Sequence, residues 1–310
     1  MKLVKELVEG ERLSIQALVA SANQGTNKSG MLYLNLELRD SSGSIPAKKW
    51  EVSEKDKNIF VVGNVIEASV EVIKYNDALQ IKVLEAKLLS NDEVDVTRFI
   101  KASPVPLDVL KERFNKLVKS ITNKDCLSLI NYFLKKFGEK VYLTPAASSV
   151  HHEFSSGLLM HSVSLAEHAE YFYNFYPDLN HDILITGALL HDFGKIIELE
   201  GPAVYHYSVE GKLLGHISIM CGELRIAAKE LGITSEVPLL LEHIVLSHHG
   251  QYEFGSPVLP LTKEALLISM IDNLDSKMMV VEKALDEVSP GEFTQKVFVL
   301  DNRTLYKPKE

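Results

Sequence analysis

The stretch ITGALLHDFGKIIEL, residues 185–199, decides the fold of the larger part of the chain. Ile185, Leu189, Ile196 and Leu199 recur at three- to four-residue steps, the period of a helix with one apolar face. His191, Asp192 and Lys195 stand in its middle. A carboxylate and an ammonium inside an apolar helix are costly unless each is paired. The stretch therefore predicts a helix whose buried polar groups answer to something elsewhere in the fold.

All 11 histidines follow residue 150, and several fall on apolar helical stretches like this one. His161 lies in GLLMHS, His216 in LLGHIS, His248 and His249 in LSHHG, and Asp272 in SMIDNLD. With His191 and Asp192 they occupy five predicted helices, each facing inward by its apolar neighbours. Helical bundles build metal sites in this way, from side chains on facing helices. Neutral imidazole and carboxylate suit Mn, Fe, Co, Ni or Zn. Two ions would need a shared carboxylate, and Asp192 is the natural bridge. A metal cation would then compensate the carboxylate buried in residues 185–199.

Around this centre the helical period runs from Leu107 onward. It covers 107–121, 125–137, 157–176, 181–199, 215–231, 237–249 and 263–285. The tail, KVFVLDNRTLYKP, reads as a hairpin or an extended strap. Before residue 91 the period is two. In MLYLNLELRD, Leu32, Leu34, Leu36 and Leu38 share one face, and Tyr33, Asn35, Glu37 and Arg39 the other. DSSGS (40–44) is a turn, IPAKKWEV (45–52) a second strand, and two more flank the turn Tyr75-Asn76-Asp77. With RLSIQALVASANQ (12–24) these make five short strands, enough for a small antiparallel barrel. The polar, proline-ended stretch 90–106 reads as a linker. The expected domains are therefore 1–90, a linker over 91–106, and a helical domain over 107–310 with its metal core in 150–285.

Composition narrows the function. The net charge is −9, yet residues 1–90 carry 12 basic and 12 acidic groups and are neutral. A protein that coats duplex nucleic acid is usually basic, so that role is excluded. An acidic domain can still take phosphates where metal ions supply local positive charge. No apolar run reaches the roughly 20 residues of a membrane helix. Two cysteines without metal spacing, Cys126 and Cys221, fit a reducing cytoplasm.

The spaced series H…HD…H…HH…D resembles the HD superfamily of metal-dependent phosphohydrolases. The resemblance implies one metal held by His161, His191, Asp192 and Asp272, and a second by Asp192, His216 and His248. It leaves His249 as a further ligand or a support; Asp275, three residues after Asp272, could be a further ligand, support the site or simply cap a helix. A strand-rich barrel before such a domain, with GSIPAKKW, HDFGK, SHHGQYEFGSPVLP and IDNLDSK, resembles the YhaM-type 3′–5′ exoribonucleases nearly end to end. That family implies an all-β oligonucleotide-binding (OB) type barrel joined to an all-α HD bundle. It also implies two divalent ions, manganese first and cobalt or iron as alternatives. Single-stranded RNA, and single-stranded DNA as a further substrate, would be cut to nucleoside 5′-monophosphates. A homo-oligomer is expected, and no membrane partner.

Residue roles follow from these expectations. Asp192 and Lys195 are the catalytic candidates. Lys195, one turn after His191 and Asp192, could hold a phosphate oxygen or the leaving group, or simply form a salt bridge. The outward Tyr33, Arg39, Lys48 and Trp50 could stack bases and meet phosphates. His151, His152 and Glu153 could close over the metals or form a plain polar loop. His168 and His243 are as well explained by structure as by catalysis. Rival readings are a phosphohydrolase of mononucleotides or cyclic dinucleotides, a nucleic-acid-binding regulator with a structural metal, and a di-iron oxygenase.

Overall fold

Strict alternation makes Leu32–Asp40 (β2) a strand with one dry and one wet face. Leu34, Leu36 and Leu38 are buried, while Asn35 and Glu37 are exposed. The computed structural model describes residues 2–27, 29–76, 78–90, 98–99, 103–146, 155–201 and 205–309. It joins β2 to Arg12–Thr26 (β1), Gly43–Trp50 (β3), Val65–Tyr75 (β4) and Ala78–Leu88 (β5). The five close into a barrel of order β1-β2-β3-β5-β4, antiparallel throughout except for β3 with β5. β1 serves two neighbours. Its first half pairs with β4, from Arg12↔Glu71 to Leu18↔Val65, and its second with β2, from Leu18↔Arg39 to Thr26↔Leu32. A bulge between Val19 and Ser21 bends the strand between the two pairings.

Ile15, Val19, Leu36, Leu38, Val70 and Ile81 fill the interior. Each such buried side chain contributes about 1.5–3 kcal/mol. A short helix, Glu54–Ile59 (α1), lies between β3 and β4, and the sequence reading assigned no element there. Its first turn is closed by Ser53 and Asp56, each accepting from the other's backbone amide.

The chain divides into two units, Met1–Ala102 with Gly201–His206, and Ser103–Glu200 with Tyr207–Glu310. The barrel and the helices fall on either side of the expected linker. Of that linker, 91–97 and 100–102 lie outside the described residues.

The second unit contains Leu107–Ser120 (α2), Lys124–Phe137 (α3), Lys140–Leu143 (α4), Gly157–Tyr173 (α5) and His181–Leu190 (α6). Lys195–Glu198 (α7), Val209–Glu230 (α8), Val237–Ser247 (α9) and Lys263–Asp286 (α10) follow. Asn123, Asn180, Ser208 and Thr262 begin α3, α6, α8 and α10, each accepting a first-turn amide on its side chain. Phe114, Phe133, Leu189, Phe193, Leu224, Ile244 and Ile268 belong to one core.

The expected single helix over 181–199 is two. α6 ends at Leu190, residues 191–194 form a turn, and α7 restarts at Lys195. A Cβ on Gly194 would stand 2.1 Å from the carbonyl oxygen of His216. The chain there lies against another stretch of backbone, and the turn carries it past. The α8 helix also departs from expectation. It starts at Val209 rather than 215 and is kinked at Gly215, whose φ of 70° and ψ of 155° suit only glycine.

Candidate metal centre

Both breaks present ligands. His191 and Asp192 occupy the turn after α6, and His216 follows the kink in α8. His248 and His249 stand just past the end of α9, His161 on α5, and Asp272 on α10. The seven residues singled out for the metals come together. His161 Nε2 lies 3.1 Å from Asp272 Oδ1 and 3.2 Å from His191 Nε2. Asp192 divides its carboxylate. Its Oδ2 stands 3.4 Å from His191 Nε2 and 3.8 Å from His161 Nε2, its Oδ1 3.4 Å from His216 Nε2 and 3.6 Å from His248 Nε2. His249 joins the second side: ligand atoms of His216, His248 and His249 all lie within 4.8 Å of one another. Those of His161, His191 and Asp192 do the same.

The other ring nitrogens explain how these imidazoles are held. Nδ1 of His191 donates to the carbonyl of Ala188, that of His248 to Val245, and that of His249 to Phe254. A carbonyl can only accept, so the proton sits on Nδ1 and the Nε2 lone pair faces the centre. Carboxylates hold the remaining two. Asp275 Oδ2 lies 2.7 Å from His161 Nδ1 and is braced by Ser164, and Glu198 Oε1 lies 3.2 Å from His216 Nδ1. Such partners fix ring orientation and raise ligand basicity. Glu198 also accepts the His216 backbone amide at 2.9 Å, a donor set loose by the Gly215 kink.

Charge in the cluster is tightly arranged. Burial works against a charged Asp192, yet Lys195 and His191 outweigh it and hold that carboxyl well below its usual range. Asp272 and Glu198 are likewise held down against burial, by His161 and His216 respectively. Burial opposes a proton on His161, but Asp272 and Asp275 raise it to about 10. Burial lowers the pKa of His248 and of His249. Lys195 reaches Asp192 Oδ2 at 2.6 Å, and that carboxylate raises its pKa against the effect of burial.

Three buried atoms decide whether metal ions fit. Asp192 Oδ1, His216 Nε2 and His248 Nε2 have no hydrogen-bond partner although they face one another. Each such group costs about 1–3 kcal/mol. A divalent cation satisfies lone pairs on all three at once, and nitrogen with carboxylate oxygen is a fitting donor set for it.

Other candidates are dispersed. His168 is exposed on α5. His243 Nε2 accepts the Leu261 amide at 2.8 Å, a structural duty. His151, His152 and Glu153 lie outside the described residues. On the barrel, Tyr33 faces Trp50 across β2 and β3 with ring centroids 4.9 Å apart. Lys48 Nζ sits 5.6 Å from both rings and 5.7 Å from a third, Tyr75, which the sequence reading had placed in a turn. Arg39 does not join them. Six residues along β2 from Tyr33, it is about 20 Å away at strand spacing, and its Nε is buried without a hydrogen-bond partner.

Comparison with known proteins accords with this geometry. A family model described as HD domain matches residues 158–277, and one described as OB-fold nucleic acid binding domain matches residues 7–89. Among solved structures, the second OB-fold domain of replication protein A from Methanococcus maripaludis covers 29% of this chain and 95% of its own, at 24% identity and TM-score 0.25. A mitochondrial single-stranded DNA binding protein from S. cerevisiae covers 27% of this chain and 98% of its own, at 14% identity and TM-score 0.24. The 3′-5′ exoribonuclease YhaM of Geobacillus sp. (strain WCH70) is 41% identical over 300 residues, 96% of this chain and 93% of that protein. At that identity, over nearly its whole length, the chain belongs to the YhaM family of 3′-5′ exoribonucleases.

Proposed function

We propose that the chain is a metal-dependent hydrolase that shortens single-stranded RNA from the 3′ end, releasing nucleoside 5′-monophosphates. The observation that carries this reading is the shared carboxylate of Asp192, with imidazole Nε2 atoms on each of its two sides. Its chain-length kinship to a named 3′-5′ exoribonuclease gives the direction and the substrate. Divalent ions held there would polarise phosphoryl oxygens and would bring the pKa of a water to near neutrality. His161, His191, Asp192 and Asp272 would hold one ion; Asp192, His216 and His248, with His249, the other. Manganese is the ion to try first, then cobalt and iron.

The chain's own residues do the rest. Asp275 and Glu198 keep two rings aimed. Lys195, charged and only partly exposed, neutralises negative charge that builds on the phosphate in the transition state. Tyr33, Trp50 and Tyr75 stack bases while Lys48 meets phosphate. Base faces and phosphates are common to RNA and DNA, so single-stranded DNA is a second substrate.

Self-association is supported by α10, where Leu266, Met270, Leu274 and Met278 form an exposed apolar stripe at four-residue steps. Light scattering tests it. Two free thiols, Cys126 and Cys221, support a reducing compartment, the cytoplasm. No helix among the described residues is long and apolar enough to cross a membrane.

The deciding experiment follows RNA labelled at either end, with Mn²⁺ or with chelator. A 5′ label should give a ladder descending one nucleotide at a time, a 3′ label only mononucleotide, and chelator should stop both. Turnover of a mononucleotide in preference to the strand would favour the phosphohydrolase rival.

A further inference from the structure

The tail after α10 turns back on itself, with bridges Phe293–Tyr306 and Val297–Arg303 pairing its two arms. At the tip, Asp301 and Asn302 hold φ of 56° and 59°. Aspartate and asparagine tolerate that left-handed region better than other side-chain-bearing residues. The tip forms one wall of a groove, and α10 forms another with Ser276 and Lys277. His249 and Asp272 line the same groove, so it runs on from the metal centre. Its volume is about 560 Å³, and small-molecule sites occupy roughly 300–1,000 Å³.

Three features define what fits. Phe298 is 83% exposed and Phe254 55%, two phenyl rings on the walls of one groove facing solvent. Lys277, five residues past Asp272 on α10, has no ion pair among the described residues. Ser276 adds a hydroxyl. A ligand with an anionic end toward the metals and Lys277, hydroxyls in the middle and a flat apolar face is a nucleotide.

We propose that this groove seats the 3′-terminal nucleotide of the strand. Its phosphate lies at the His249–Asp272 end beside Lys277, and its base lies against Phe298, with Phe254 contributing to the same apolar wall. The barrel's aromatic patch holds strand; this groove measures off the single unit to be removed. The proposal rests on the exonuclease reading, and binding separates the two.

The test uses the full chain with Mn²⁺ and titrates AMP against ribose 5-phosphate by calorimetry. AMP should bind about tenfold more tightly, the scale of one stacked base. Phe298→Ala should erase that preference and Phe298→Trp keep it, while Lys277→Met should weaken both ligands alike. Phe298 is so exposed that its replacement leaves the fold intact. The second arm compares removal of a normal and an abasic 3′-terminal nucleotide from RNA. The same preference, and the same loss in Phe298→Ala, should appear. AMP discrimination that depends on Phe298 in a chain unable to shorten RNA would keep the groove and remove the exonuclease reading. RNA shortening with discrimination untouched by Phe298→Ala would do the reverse. Equal binding of AMP and ribose 5-phosphate to the unaltered chain overturns the groove.

Discussion

The barrel and the helical unit dispose of their polar groups in opposite ways. The barrel packs an apolar interior and sets Tyr33, Lys48, Trp50 and Tyr75 on its outside. The helical unit takes His161, His191, Asp192, His248 and Asp272 inside. A surface patch stacks several weak contacts, so the loss of one is tolerated. A buried cluster has no water to fall back on, and each group depends on the others' charge and orientation. Damage of equal chemical size should therefore be mild in one unit and severe in the other.

The severest case is Asp192→Ala. Both sides of the centre lose their common carboxylate, so hydrolysis and bound metal should fall to background together. Elemental analysis alongside the RNA ladder checks this; full metal with retained turnover would end the bridging assignment. Next comes Lys195→Ala, which should lower kcat by about 10²-fold, the scale for one charge-stabilising donor, with metal retained. An unchanged kcat would return Lys195 to a structural ion pair with Asp192. Glu198→Gln should loosen His216 and weaken metal binding about 10–100-fold, with activity recovered at higher metal concentration. If added metal restores nothing, Glu198 does more than aim a ring. The smallest effect is expected on the barrel. Trp50→Ala should raise KM for a long strand about tenfold, the worth of one stacked base, and leave a dinucleotide nearly unaffected. An equal effect on both substrates would break the contrast between the two units.

Legibility in the sequence followed the same divide. The period-two pattern of Leu34, Leu36 and Leu38 made β2 plain, because a sheet with one wet face alternates. The metal candidates were legible because imidazole and carboxylate on apolar helices demand a reason. What escaped was set by backbone rather than by pattern. Apolar spacing runs unbroken through 185–199, so nothing in it marks the turn at His191–Gly194; only the close approach of Gly194 to His216 accounts for it. Glu198 went unread because its partner, His216, eighteen residues later, is brought to it by the kink at Gly215. The one available hint was a glycine directly before a histidine in LLGHIS. Arg39 shares the outward side of β2 with Tyr33, but alternation reports side and not distance along the strand. Tyr75 reached the aromatic patch through barrel closure, which no local pattern encodes.

The double use of β1 bears on how the chain is made. Arg12–Thr26 leaves the ribosome first among the strands, and its second half finds β2 at once across a short turn. Its first half has no partner until Val65–Tyr75 has been synthesised. In that interval an open strand edge carries Leu13, Ile15 and Ala17, a template for pairing with a neighbouring nascent chain. The hazard at β1 ends when β4 arrives and covers that edge, and the cylinder shuts only when β5, the last strand made, enters between β4 and β3.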